Sequence, residues 1–179
     1  FGAIVSCNYR IKKKLATELN KIFLEVVIAN GFEKDALKIL KRKKKLRLID
    51  ANNLNTLNLS NFTSNFNSIL IQSPDLNKFT IKDLKIVSKK KPTLDQLNNL
   101  IFALNVCRHV KSNAIVIAKN KSTLGIGSGQ PNRLDSCKIA IEKMNKFQPD
   151  RSMNSVAASD AFFPFVDGIE TLVQAGISA

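Results

Sequence analysis

An α/β fold is what this sequence predicts, and three observations carry that expectation. Short β-branched apolar runs alternate with stretches whose apolar residues recur at helical spacing, the pattern of βα units. Apolar residues make up 44% of the 179, enough for a real core and unlike a disordered chain. At least one helix announces its own start: Thr93 is a good N-cap and Gln96, three residues on, completes a capping box.

Taken in order, Phe1–Cys7 suits a buried strand. Leu15, Leu19, Ile22 and Phe23 repeat at helical spacing. Val26 to Ala29 is β-branched and ends near Gly31, so it reads as a second strand. Ala36, Leu37 and Leu40 mark one face of a helix running to about Lys43, and Leu46–Ile49 reads as a strand. Residues 51–68, rich in Asn, Ser and Thr, look like a long connection. Ile69–Ile71 and Leu84–Val87 are expected strands. The run Lys89-Lys90-Lys91-Pro92 then breaks the pattern and marks a subdomain boundary. In the helix after Thr93, Leu97, Leu100, Ile101 and Leu104 form the apolar stripe. Asn113–Ala118 and Thr123–Ile126 are strands joined by a hairpin turn. Pro131 fits the first turn of a helix, whose buried face is Leu134, Cys137, Ile141 and Met144. Val156–Ala158 is a strand, and Asp167–Ala175 a last helix that Gly176 terminates. The chain lacks an initiator Met and stops where another strand is expected, so truncation at both ends is the expectation.

Composition bounds the function. No apolar run approaches the ~18 residues of a membrane span, and no signal peptide is visible. Cys7, Cys107 and Cys137 are odd in number and far apart, which suits free thiols in a reducing compartment. With a single histidine, His109, a zinc site is not expected. The net charge of +14 first suggests an anionic partner, but reads mainly as compositional drift in a Lys-, Asn- and Ile-rich chain, with a minor part in attracting substrate. The runs Lys12–Lys14, Lys41–Lys45 and Lys89–Lys91 lack the interleaved aromatics of a single-strand binder, and read as solvated helix ends and loops.

Three constellations could carry chemistry. Gly125-Ile126-Gly127-Ser128-Gly129-Gln130 leads into a helix, and such a turn can let an anion approach backbone N–H groups; it can equally be a turn that merely packs. Arg133 in the first helical turn favours anion binding. Ser159-Asp160-Ala161-Phe162-Phe163-Pro164-Phe165-Val166-Asp167 offers aromatic faces bracketed by carboxylates, either a wall for a flat heterocycle or a core corner. Ser112-Asn113 begins a strand, where the Asn amide can polarise a carbonyl, hold an oxyanion, or simply cap a turn.

Quoted together, these segments resemble a known family. SNAIVIAKNKSTLGIGSGQPNRLDSCKIAIEKM (Ser112–Met144) and ASDAFFPFVDGI (Ala158–Ile169) are similar to the 5-aminoimidazole-4-carboxamide ribonucleotide (AICAR) transformylase part of bifunctional purine-biosynthesis proteins. FGAIVSCN, LEVVIANGFEKDALKILKRKKKLRLI and DLKIVSKKKPT match the same pattern, as does FALNVCRHVKSNA. The resemblance covers nearly the whole chain and is weakest across residues 51–68.

The resemblance implies transfer of a formyl group from 10-formyltetrahydrofolate, as co-substrate, to the amine of AICAR, with no metal required. It implies a cytidine-deaminase-like transformylase fold with mixed sheets flanked by helices. Residues 1–92 would be the C-terminal part of the first half, and residues 93–179 most of the second. It further implies a cytoplasmic homodimer with active sites at the interface, and an IMP cyclohydrolase domain N-terminal to the segment seen here. By position, Asn113 resembles the asparagine beside the reacting amine and is the catalytic candidate. Gly2, Glu25, Arg133 and Phe162 stand with Asn113 at AICAR-contacting positions, and Leu134 and Asp167 at folate-contacting ones. The family often has Gln-Met-Ser-Arg where this chain has Gln130-Pro131-Asn132-Arg133, and Phe-Arg-Asp where it has Phe165-Val166-Asp167. The family's catalytic Lys-His pair would lie upstream of Phe1, and a nucleotide-contacting Arg beyond Ala179. This segment alone is therefore expected to be inactive. Two rivals remain. A zinc nucleobase deaminase needs His-x-Glu and Pro-Cys-x-x-Cys, and neither is present. A basic nucleic-acid-binding module rests on charge alone; neither nucleic acid nor membrane is the expected partner.

Overall fold

The computed structural model describes residues 1–52 and 60–179. They form an α/β fold with parallel and antiparallel sheets flanked by helices. Two compact units divide the chain, Phe1–Asp75 and Leu76–Ala179.

In the first unit, β1 (Ala3–Cys7), α1 (Lys13–Asn20), β2 (Leu24–Ala29), α2 (Lys34–Leu40) and β3 (Arg47–Asp50) alternate. The three strands pair in parallel in the order β1-β2-β3, so each connection needs a crossover helix. The side chains of Val5, Cys7, Val27, Ala29 and Leu48 pack against Ala16, Leu19, Ala36 and Leu40 of the helices. The helix expected to take in Ile22 and Phe23 ends at Asn20, and both residues are exposed beyond it. Ala16 and Leu19 make the buried face instead.

A hairpin of β4 (Asn61–Asn65) and β5 (Ser68–Gln72) follows. β5 contains the expected strand Ile69–Ile71. β4 lies within the stretch expected to be a connection: backbone pairing to β5 makes it a strand despite its polar composition. Residues 53–59, the rest of that stretch apart from its ends, lie outside the described residues.

In the second unit, a 3₁₀ turn (Ile81–Asp83) is closed by a Thr80–Asp83 capping box. The strand expected at Leu84–Val87 does not form. Its β-branched residues have no strand to pair with among the described residues, and Val87 is 86% exposed; β propensity expresses packing against neighbours more than a backbone preference. The helix α3 (Leu94–Cys107) begins at Thr93 with both capping-box bonds, Gln96 N–H to Thr93 Oγ1 at 3.2 Å and Thr93 N–H to Gln96 Oε1 at 2.8 Å. Its fully buried spine is Asn99, Ala103 and Cys107, with the expected stripe of Leu97, Leu100, Ile101 and Leu104 half-buried around it.

The antiparallel sheet β7-β6-β8 is the frame of this unit: β6 (Ile115–Lys119), β7 (Ser122–Gly127) and β8 (Val156–Ser159). β6 is covered on both faces, so its apolar run is continuous rather than alternating. Ile115 and Ile117 face Cys137, Ala140 and Met144 of α4 (Arg133–Phe147) and Leu172 of α5 (Asp167–Gln174). Ala114, Val116 and Ala118 face Ala103 and Cys107 of α3. Asn120 and Lys121 make the two-residue turn between β6 and β7, both at φ +52°, the geometry that matches strand twist. The buried Asn99 side chain accepts from the Lys121 N–H at 2.8 Å and pins that turn to α3. Pro131 stands one residue before the N-cap, not in the first turn: Asn132 caps α4, accepting from the Asp135 N–H at 2.8 Å. Gly176 ends α5 at φ +91°, as expected.

Candidate functional site

The glycine-rich run resolves into packing. A Cβ at Gly125 would lie 1.9 Å from the carbonyl oxygen of Ala140, and one at Gly127 1.9 Å from that of Ser136. These two glycines let the backbone of α4 lie directly on β7. Only Gly129, at φ +66°, faces open space. The start of α4 is occupied by its own side chains: Asn132 bonds the Asp135 N–H and, through Nδ2, the Asp135 carboxylate at 2.6 Å. Of the two readings left open for Gly125–Gln130, an anion cradle or a packing turn, the segment builds the packing turn. It delivers Arg133 to the strand start. The Gly129 N–H donates to Lys111 O at 2.8 Å, and the Asn113 N–H to Gln130 O at 3.3 Å, tying the loop to the residues before β6.

At this junction a cleft of about 560 Å³ opens. Its walls include Asn113 at the head of β6, Arg133 and Leu134 at the start of α4, Phe162 and Phe165 in the loop after β8, and Asp167 at the start of α5. That is the size and character of a small-molecule site: mostly apolar, with a few polar groups converging.

The polar groups are tightly connected. Arg133 Nη1 donates to Ser159 Oγ at 2.8 Å and to Asp160 Oδ1 at 2.5 Å, and Nη2 donates to Asn113 Oδ1 at 2.8 Å. Its guanidinium lies 5.9 Å from the centroid of the Phe163 ring, within cation–π range. The Asn113 Nδ2 donates to Gln130 O at 2.9 Å and to Pro131 O at 3.3 Å. Asp160 also accepts from the Ala114 N–H at 2.9 Å and from the Ser112 hydroxyl. The paired side chains of Arg133 and Asp160 are only 9% and 18% exposed. Burial pushes the Asp160 carboxyl up, but the Ser112 hydroxyl, the Ala114 N–H and the Arg133 guanidinium more than offset it and hold its pKa at about 2.

The three phenylalanines divide. Phe163 turns inward onto the core, while Phe162 and Phe165 are exposed, Phe162 at 81%. The aromatic segment is thus both a core corner and a ligand wall. Asp167 accepts from the Gly168 N–H at 2.7 Å through Oδ1, and the residue is exposed. Five of the expected site residues, Asn113, Arg133, Leu134, Phe162 and Asp167, therefore line one cleft. The other two, Gly2 and Glu25, belong to the first unit and meet each other there, the Gly2 N–H donating to Glu25 Oε1 at 3.1 Å. Asp160, Ser112 and Ser159 stand in the constellations singled out in the sequence, but at none of the ligand-contacting positions that the resemblance implies. The register that sets Ile115 opposite Ser159, and so Ala114 beside Asp160, brings them in. Among the described residues, no group of three or more His, Cys, Asp or Glu side chains is gathered as a metal site, and no helix is long and apolar enough to cross a membrane.

An α/β scaffold with an aromatic-walled cleft and an Arg–Asp ion pair has the form of a small-molecule-binding module. Comparison with known proteins gives its lineage. Residues 1–143 match the model of the AICARFT/IMPCHase bienzyme family. The bifunctional purine biosynthesis protein PurH of Acetivibrio thermocellus is 44% identical over 183 residues, covering 100% of this chain and 35% of that protein. PurH of Oceanobacillus iheyensis is 42% identical, covering 100% and 34%, and that of Anoxybacillus flavithermus 44%, covering 100% and 34%. The chain belongs to the AICARFT/IMPCHase bienzyme family. It spans about a third of the length of the curated relatives it matches.

Proposed function

We propose that this chain supplies the substrate-holding wall of a formyl-transfer site, and that the whole protein moves a formyl group from 10-formyltetrahydrofolate to the amine of AICAR. The observation that carries the reading is the meeting of Asn113, Arg133, Leu134, Phe162 and Asp167 around one cleft, in a chain of this family. In the same reading the whole protein is a cytoplasmic homodimer and also closes the purine ring as an IMP cyclohydrolase. Residues 1–92 and 93–179 belong to its two cytidine-deaminase-like halves.

The chemistry sets what the site must do. The AICAR amine is a poor nucleophile, its lone pair drawn into the imidazole and carboxamide. Rate then comes from orienting two substrates and stabilising the negative oxygen of the tetrahedral intermediate. Phe162 and Phe165 offer exposed faces on which a flat ring can stack. Leu134 gives an apolar contact for the folate, and Asp167, acceptor-only when ionised, suits the N–H groups of a pterin. Arg133, the central donor of the cleft, is held for AICAR. Asn113 is the oxyanion-holding group: its Nδ2 gives up the longer of its two bonds, that to Pro131 O at 3.3 Å, to reach the developing charge. In the first unit Gly2 and Glu25 contact the ribonucleotide. The exposed basic runs draw anionic substrates towards the protein.

The test is to express the complete open reading frame and follow tetrahydrofolate release on adding AICAR and 10-formyltetrahydrofolate. AICAR-dependent release is expected; its absence in the folded protein rejects the reading. The segment alone, about a third of its relatives' length, is expected to give no turnover.

A further inference from the structure

We propose that Asp160 is a positioning residue that fixes the polarity of the Asn113 amide through Arg133, and so decides which end of that amide the substrate meets. This rests on the reading of Asn113 as an oxyanion-holding group.

An asparagine side chain has two ends of nearly the same shape and opposite chemistry, a C=O that accepts and an NH₂ that donates. An oxyanion is stabilised only by the NH₂. Rotation by a half turn about the last bond would present the carbonyl oxygen instead, and a negative oxygen would be repelled. Something must hold one orientation.

The structure contains a chain of groups whose donor and acceptor roles leave no freedom. Asp160, with its pKa held near 2, is an acceptor only. Arg133 is a donor only. Asp160 Oδ1 takes Arg133 Nη1 at 2.5 Å, which leaves Nη2 to donate to Asn113 Oδ1 at 2.8 Å. A guanidinium cannot accept, so the amide oxygen must face it and the NH₂ must face away, towards Gln130 O at 2.9 Å and Pro131 O. Asn113, Pro131 and Arg133 all line the cleft, and of the amide's bonds the one from Nδ2 to Pro131 O is exposed while the one accepted by Oδ1 from Arg133 is part-buried.

The same carboxylate also brackets Asn113 along the chain. It accepts from the Ser112 hydroxyl before it and the Ala114 N–H after it. Asp160 thus touches both neighbours of Asn113 and the guanidinium that holds its oxygen, with no hydrogen bond to Asn113 itself. Ser159 backs the arrangement, accepting from Arg133 Nη1 at 2.8 Å while its hydroxyl donates to Ala161 O at 2.7 Å. A carboxylate placed only to stabilise the fold has no need of this ordering.

Asp160→Asn tests the idea with almost no change in shape. An amide at 160 can keep one acceptor oxygen for the Ala114 N–H but loses the negative charge that holds the guanidinium in place. In the complete protein, Asp160→Asn is expected to lower kcat by roughly 100-fold, the scale of a lost oxyanion donor. The KM for 10-formyltetrahydrofolate should stay within about twofold. Asp160→Glu keeps the acceptor-only character and should recover at least a tenfold part of that loss. A crystal structure of the Asp160→Asn protein should show Arg133 withdrawn from Asn113 Oδ1. A folded Asp160→Asn protein with unchanged kcat, or with Arg133 still on Asn113, overturns the proposal; so does a loss that Asp160→Glu fails to relieve. Should Asp160→Asn not fold, Ser112→Ala removes one of its bonds and is expected to lower kcat several-fold at constant folate KM; no change there also overturns it. If the wild-type complete protein shows no AICAR-dependent turnover, the formyl-transfer reading fails, and the crystallographic comparison alone decides the geometry assigned to Asp160.

Discussion

Asp160 makes the stability of the fold depend on pH. Its folded pKa of about 2 lies below the ordinary 3.8, so the native state binds its proton less readily than the unfolded chain does. The stability it contributes is complete above about pH 4 and is lost as pH falls through about 2. Urea midpoints of wild type and Asp160→Asn, compared from pH 6 to pH 2, should therefore differ most at the upper end and converge at the lower; a constant gap would contradict the carboxylate's role. The cysteines make a second residue-scale prediction. Burial pushes the Cys107 thiol up to about 11, with Asp160 adding to the rise and Arg133 opposing it. Burial likewise pushes Cys137 to about 11, here against Arg133. Thiolates are the reactive form, so a maleimide at pH 7 should label the half-buried Cys7 and leave the two buried thiols untouched in the native protein. Rapid labelling of Cys107 or Cys137 without unfolding would show that their surroundings are misread. At this scale Asn113, Arg133 and Phe162 were legible because a motif carried them. Asp160 was seen only as an acidic residue beside phenylalanines, because its partners Ser112 and Arg133 lie 48 and 27 residues away in sequence.

Elements whose signal is local were read well. The capping box at Thr93, the hairpin turn between Ala118 and Thr123 and the stop at Gly176 each depend on a few adjacent residues, and each formed, the turn shortened to Asn120-Lys121 because Lys119 and Ser122 pair. Elements whose fate depends on neighbours were read less well. Leu84–Val87 has the composition of a strand without a partner strand, and Asn61–Asn65 has the composition of a loop with one. Gly125 and Gly127 left a ligand turn and a packing turn equally open, because glycine permits close approach of either kind; what approaches is the backbone of α4. Gly127→Ala should therefore destabilise the protein by about 2 kcal/mol or more through overpacking against Ser136. Chemical denaturation measures this directly, and a loss of under about 0.5 kcal/mol would contradict the close packing of α4 on β7.

At the scale of the whole molecule, fold class and family were legible from the chain, since alternating apolar periods and two motifs together specify them. The net charge of +14 was not diagnostic. Its runs at Lys12–Lys14, Lys41–Lys45 and Lys89–Lys91 lie almost entirely in solvent, a general positive field rather than a built groove. The candidate site in the second unit is instead local: one cleft, one ion pair of low side-chain exposure and one asparagine amide. The proposed role of this amide is to stabilise charge in formyl transfer. It is tested most directly by kcat and the folate KM of Asn113→Ala in the complete protein. The expected result is a kcat lower by about 100-fold or more with a folate KM changed by less than about threefold. An unchanged kcat, or a loss confined to KM, would contradict it.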